Sequence, residues 1–186
     1  QRQMCIRDSN MATEDDGSCS YDEPSKLKIL SLHGGGESAS AFESQQGMQD
    51  LIQALPDFEF IFAEAPEDGD LWVRDPPDGK EQDTDDPMWA DTSITYLDNF
   101  IANNGPFYGL LGYSQGAAMS VIYLAHSDIN FEKVILFNGY LETGHQGVNQ
   151  TIENEAPFNT TALVFEGEDD DWFGYGPAEL VNIFTN

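Results

Sequence analysis

The chain has 186 residues, with Lys+Arg 7 against Asp+Glu 34 and a formal net charge of -27. That length suits one domain with a buried core, and that charge argues against nucleic acid or an anionic membrane surface as partner. No apolar run approaches the length needed to cross a bilayer, nothing resembles the apolar region of a signal peptide, and Cys5 and Cys19 both lie in a polar tail, where neither is placed as nucleophile or core staple.

Residues 1–25 carry no periodic apolar pattern and are expected to be a disordered tail. Gln1–Ser9 resembles a translated sequencing-library adapter, and Ala12–Tyr21 resembles a short acidic, Cys-containing repeat of secreted proteins. Over 26–186, short apolar runs alternate with helical periodicity, which predicts an α/β domain with a mostly parallel sheet and helices on both faces. Strands are expected at Leu27–Leu32, Phe58–Ala63, Phe107–Leu111, Lys133–Phe137 and Ala162–Phe165. Met48, Leu51, Ile52 and Leu55 recur at helical spacing and predict one amphipathic helix over Ala41–Ala54; Ile94, Leu97 and Ile101 predict another over Trp89–Asn103. Between Glu64 and Asp91, eleven acidic residues stand against Arg74 and Lys80 in a Pro- and Gly-rich stretch, which reads as a solvated acidic loop. The segment after Ser114 is apolar nearly all round, as befits a helix buried against a sheet. A last helix is expected over Pro177–Phe184.

Chemistry concentrates at Gly112-Tyr113-Ser114-Gln115-Gly116, a G-x-S-x-G nucleophile elbow between a predicted strand and a predicted helix. Glycines flank the serine because the turn is sharp and leaves no room for a β-carbon. A serine hydroxyl needs a base, an acid behind the base, and donors for the oxyanion. The first strand runs into His33-Gly34-Gly35-Gly36, where backbone N–H groups can face a ligand. Gly35 and Gln115 are the expected oxyanion donors, with Gly36 as the alternative. The acid is expected after the strand ending at Phe165, within Asp169-Asp170-Asp171; the strand-G-x-x-D spacing favours Asp170.

The base is harder to place. His33 belongs to the glycine turn and His126 to the far end of the helix after Ser114. His145, read as a loop residue at the carboxyl edge of the sheet, is the one internal substitute. The expectation is that the chain stops at Asn186 before the segment that carries the histidine. Trp72, Trp89 and Trp172 are candidates for lining an acyl pocket, with core packing or loop anchoring as the alternative. No metal-ligand spacing and no nucleotide-binding glycine frame is visible, so no cofactor or metal is implied.

Ile29–Gly34, Phe62–Pro66, the block Asn104-Gly105-Pro106-Phe107-Tyr108-Gly109-Leu110-Leu111-Gly112-Tyr113-Ser114-Gln115-Gly116-Ala117-Ala118 and Phe165–Glu168 resemble the family of serine hydrolases often called the FSH group, small α/β-hydrolases without a large lid. The resemblance implies an α/β-hydrolase fold incomplete at its C-terminus, Ser114 as nucleophile, Asp170 as triad acid, and esterase or thioesterase activity on a small acyl substrate. It also implies a histidine in a Gly-His segment beyond the acid, and an intracellular protein. The sequons at Asn149 and Asn159, the acidic composition and the tail point instead to secretion. The competing function is a catalytically inactive α/β-hydrolase domain that serves as a binding module, with the acidic stretch as its contact surface.

Overall fold

The computed structural model describes residues 25–80, 82–142, 144–167 and 176–185. In chain order the elements are β1 (Leu27–Leu32), α1 (Ala39–Ser44), α2 (Gln46–Ala54), β2 (Phe58–Ala63), α3 (Asp91–Asn104), β3 (Gly109–Tyr113), α4 (Gln115–His126), β4 (Lys133–Phe137), α5 (Gln146–Glu155), β5 (Thr161–Phe165) and α6 (Gly176–Asn182). The strands form one sheet in the order β2-β1-β3-β4-β5, and every pairing is parallel. All five carboxyl ends therefore point to one edge, where the turn that follows β1 lies against the turn that follows β3.

Alternation along the strands builds two cores. Leu30 and Leu32 of β1, Leu110 of β3 and Val134 and Leu136 of β4 face a large core completed by residues of α3, α4, α5 and α6. Ile29 and Leu111 face the other way, against Phe42 of α1 and Met48 of α2. This second face is less completely covered. Leu163 and Phe165 of β5 stay about half exposed, and an apolar groove of about 480 Å³ runs between α1–α2 and the strand ends at Tyr113 and Phe137. Helix α4 is the most enclosed, with Gln115 through Tyr123 all buried.

The strands lie where the apolar runs place them, except that β5 begins one residue early, at Thr161, and β3 is shifted. β3 begins at Gly109 rather than Phe107 and extends to Tyr113, because its register is set by β1 (Ile29↔Gly109) and β4 (Tyr113↔Phe137). Phe107 is buried and stacks on Phe100 outside the ladder, with ring centroids 6.4 Å apart. The single helix expected over 41–54 is two. Gln45 is extended (φ -60, ψ 138), and α1 starts early because the Ser38 hydroxyl accepts the Ala41 N–H at 3.1 Å. Phe42 and Met48 are six residues apart and would lie roughly 120° apart around an unbroken helix; the break lets both reach the sheet. α5 was not expected, since only Val148 and Ile152 of its residues are buried and its sequence is otherwise polar.

Candidate active site

Ser114 is held by its backbone. It adopts φ 52 and ψ -118, a conformation costly for a residue with a side chain, between the last residue of β3 and the first of α4. Its N–H donates to Phe137 O at 3.0 Å, and its carbonyl accepts the N–H groups of Ala117 (2.9 Å) and Ala118 (3.2 Å). Both flanking glycines are sterically required. A β-carbon on Gly112 would collide with Gly116 O and the Ala117 backbone, and one on Gly116 would collide with the carbonyl oxygens of Leu32 and His33.

The glycine turn after β1 lies against this elbow. A β-carbon on Gly34 would sit 3.5 Å from Ser114 Cβ, and one on Gly35 would sit 2.9 Å from Gln115 Oε1. The Gly36 N–H donates to Asp70 O at 2.9 Å, with Gly36 at φ +75. The Gly36 N–H is thus committed to loop structure, while Gly35 lies against the Gln115 side chain.

Gln115 does more than follow the serine. Its side chain is a clasp: Oε1 accepts the Trp72 N–H at 2.9 Å, and Nε2 donates to Val73 O at 2.7 Å and to Glu142 Oε1 at 3.3 Å. Trp72 is fully buried, its indole N–H donates to His33 O at 2.9 Å, and its carbonyl accepts the Ser93 hydroxyl. Trp72 therefore packs in the core and does not line an open acyl pocket. Trp89 donates to Arg74 O at 3.0 Å, and the Arg74 guanidinium lies 4.4 Å from the centre of a Trp89 ring. The stretch read as a solvated acidic loop is thus pinned along its length, with a further bridge between Thr84 and His145.

The three histidines are engaged away from Ser114. The His33 ring is buried, with Nε2 accepting the Ala65 N–H (3.0 Å) and Nδ1 bonded to Gly34 O (2.8 Å). His126 closes α4 with Nδ1 on Ile122 O at 2.9 Å. His145 is not in an open loop: it is the buried residue before α5, its Nε2 lies 2.9 Å from Arg74 O, and its Nδ1 lies 3.9 Å from Glu142 Oε2. Among the described residues none of these rings hydrogen-bonds the Ser114 hydroxyl. Asp169, Asp170, Asp171 and Trp172 lie outside the described residues. β5, the strand that precedes them in the chain, ends at Phe165, whose carbonyl accepts the Asn138 N–H at 2.8 Å.

Residues 22–186 match the family model described as Serine hydrolase (FSH1). The chain belongs to the FSH1 serine hydrolase family. Among curated proteins, this FSH1 chain is 29% identical over 145 residues to an esterase of Caenorhabditis elegans, covering 68% of this chain and 66% of that one. It is 32% identical over 127 residues to Family of serine hydrolases 2 of Saccharomyces cerevisiae, covering 55% and 54%. The chain thus spans between about half and two thirds of the length of these two relatives. Among solved structures it superposes on esterase PE8 (TM-score 0.59, 20% identity, 87% of this chain and 81% of that one) and on a variant of SOBER1 from Arabidopsis thaliana (TM-score 0.58, 21% identity, 86% and 87%). These likenesses establish the α/β-hydrolase fold.

The sequence reading of this FSH1 site missed Glu142 and the side-chain role of Gln115. A polar residue at the head of an otherwise apolar helix is the one signal that pointed to Gln115. Glu142, in Gly139-Tyr140-Leu141-Glu142, belongs to no recognisable pattern.

Proposed function

We propose that this protein is an esterase or thioesterase that acts on small acyl substrates through an acyl-Ser114 intermediate. The observation that carries this reading is the strained serine between β3 and α4, wedged by two irreplaceable glycines and faced by the Gly34-Gly35 turn. Ser114 Oγ attacks the acyl carbon as a base removes its proton. The backbone N–H groups of Gly35 and Gln115 receive the oxyanion, and collapse of the tetrahedral adduct expels alcohol or thiol. Water then repeats the sequence on the acyl-serine. Asp170 is the acid of the triad, and the base is a group other than His33, His126 and His145, each of which has a ring nitrogen engaged elsewhere and none of which hydrogen-bonds the Ser114 hydroxyl among the described residues.

That engagement favours one second reading, a catalytically inactive domain retained for binding. A fluorophosphonate probe separates the two. The protein, expressed with whatever residues its gene places around these 186, is expected to label at Ser114 and the Ser114→Ala variant is not. Labelling that persists in Ser114→Ala refutes the nucleophile assignment, and absence of labelling in the wild type favours the binding module.

No helix among the described residues is long and apolar enough to cross a membrane. The resemblance supports a cytoplasmic location, with secretion as the alternative. Asn149 is half-buried and donates to Glu142 O at 2.7 Å, whereas Asn159 is exposed; a glycan on Asn159 in the native host overturns the cytoplasmic reading.

A further inference from the structure

Glu142 and His145 face one another one step behind the elbow. His145 Nε2 faces the Arg74 carbonyl, an acceptor only, so this nitrogen carries the hydrogen and donates at 2.9 Å. Nδ1 is then a lone pair buried without a hydrogen-bond partner. The group facing it is the Glu142 carboxyl, with Oε2 3.9 Å away. That is beyond hydrogen-bond range, but a small rotation of the carboxyl closes it. An ionised Glu142 would turn a negative oxygen towards that lone pair, whereas a protonated one can donate into it. On its other side Glu142 Oε1 accepts from Gln115 Nε2, and the Tyr140 phenol also hydrogen-bonds the carboxyl. Between them the two residues reach three consecutive positions of one segment: Trp72 and Val73 through Gln115, and Arg74 through His145.

We propose that Glu142 is a positioning residue for the hydrolytic site, holding one proton jointly with His145 Nδ1 and thereby fixing Trp72–Arg74 and the Gln115 clasp against the glycine turn. This rests on the hydrolase reading for its purpose, but its physical content is independent of turnover. Burial is the main influence that raises the Glu142 carboxyl above the usual carboxylate range, and Asp75 adds to it; His145, Gln115 and the Tyr140 phenol oppose the rise. Tyr140 is itself held protonated by burial and by Glu142. Removal of the shared proton leaves a carboxylate against an imidazole lone pair, and the two repel. As the carboxyl turns away from His145, the hold on Trp72–Arg74 loosens even though Gln115 Nε2 and the Tyr140 phenol still donate to the carboxylate.

The test uses hydrogen exchange at the Trp72 amide, which is bonded to Gln115 Oε1, in the wild type, Glu142→Gln and Glu142→Ala. Glutamine keeps an acceptor for Gln115 and Tyr140 and offers N–H to His145 without titrating. Trp72 protection is expected to fall at least tenfold in Glu142→Ala and to stay within about threefold of wild type in Glu142→Gln. After correction for intrinsic exchange, the wild type is expected to lose protection as pH rises, and Glu142→Gln is not. Equal protection in all three proteins, equal losses in both variants, or the same pH response in the wild type and Glu142→Gln overturns the proposal. If Glu142→Ala does not fold, the pH comparison alone decides. Fluorophosphonate labelling of the same samples keeps the two readings apart: absent wild-type labelling with the expected Trp72 pattern sinks the hydrolase reading only, and normal labelling with no Trp72 effect sinks the positioning role only.

Discussion

The carbonyl oxygen of Leu32, at the end of β1, occupies the space that a β-carbon on Gly116 would need. Both partners are backbone, so no flexible side chain can give way, and either the strand end or the start of α4 must move. Gly116→Ala is expected to cost about 3 kcal/mol or more in urea denaturation. The contrast is Gly47→Ala in α2, where an added β-carbon meets nothing within 4 Å; it is expected to stabilise by about 0.5–1 kcal/mol.

Strain at Ser114 is measurable without substrate. Ser114→Ala keeps a β-carbon at φ 52, whereas Ser114→Gly removes it and recovers part of the 1–3 kcal/mol that such conformations cost, less the extra chain entropy of glycine. The glycine variant is expected to exceed the alanine variant by about 1 kcal/mol, or roughly 2–4 °C in Tm for a domain of this size. Equal melting points would show that the elbow stores no strain.

Gln115→Ala leaves the Trp72 N–H and Val73 O, both in a buried setting, without their partners. At about 1–3 kcal/mol for each unsatisfied group, a total loss of about 2–6 kcal/mol is expected by chemical denaturation. Trp72 should also emit at longer wavelength as its surroundings become wet. Loss of stability without a fluorescence change would place the damage elsewhere.

Glu142 also gives stability a pH signature. Its carboxyl titrates at higher pH in the folded protein than in the unfolded chain, whose reference value is 4.5, so the folded state holds the proton longer. The contribution is fully present below the unfolded value and is lost as pH rises through the raised folded value. Wild-type stability relative to Glu142→Gln is therefore expected to fall across that window, as read from urea midpoints at stepped pH. A constant difference would show that the carboxyl is not perturbed.

Strand positions were legible because each buried strand is a short apolar run, and the elbow because its glycines and serine are spaced by backbone geometry alone. Helix ends were less so. Gln45 breaks α1 from α2 through an extended backbone that the spacing of Met48, Leu51 and Leu55 does not report, and α5 buries too few residues to show a stripe. The links around Gln115, Glu142 and His145 join residues as far as 71 positions apart in the chain through single hydrogen bonds, and a linear pattern carries no trace of such closures.

The pinned acidic segment between Glu64 and Asp91 has a kinetic consequence. With Trp72 locked in the core and the Gly36 N–H bonded to Asp70 O, the Asp70 end of that charged stretch is held beside the turn that carries Gly35. Hydrolysis of a neutral ester at Ser114 would create a carboxylate near that charge. The same field that leaves a neutral substrate undisturbed would drive the anionic product outward, so product departure would be fastest at low ionic strength and would slow as salt screens the rim.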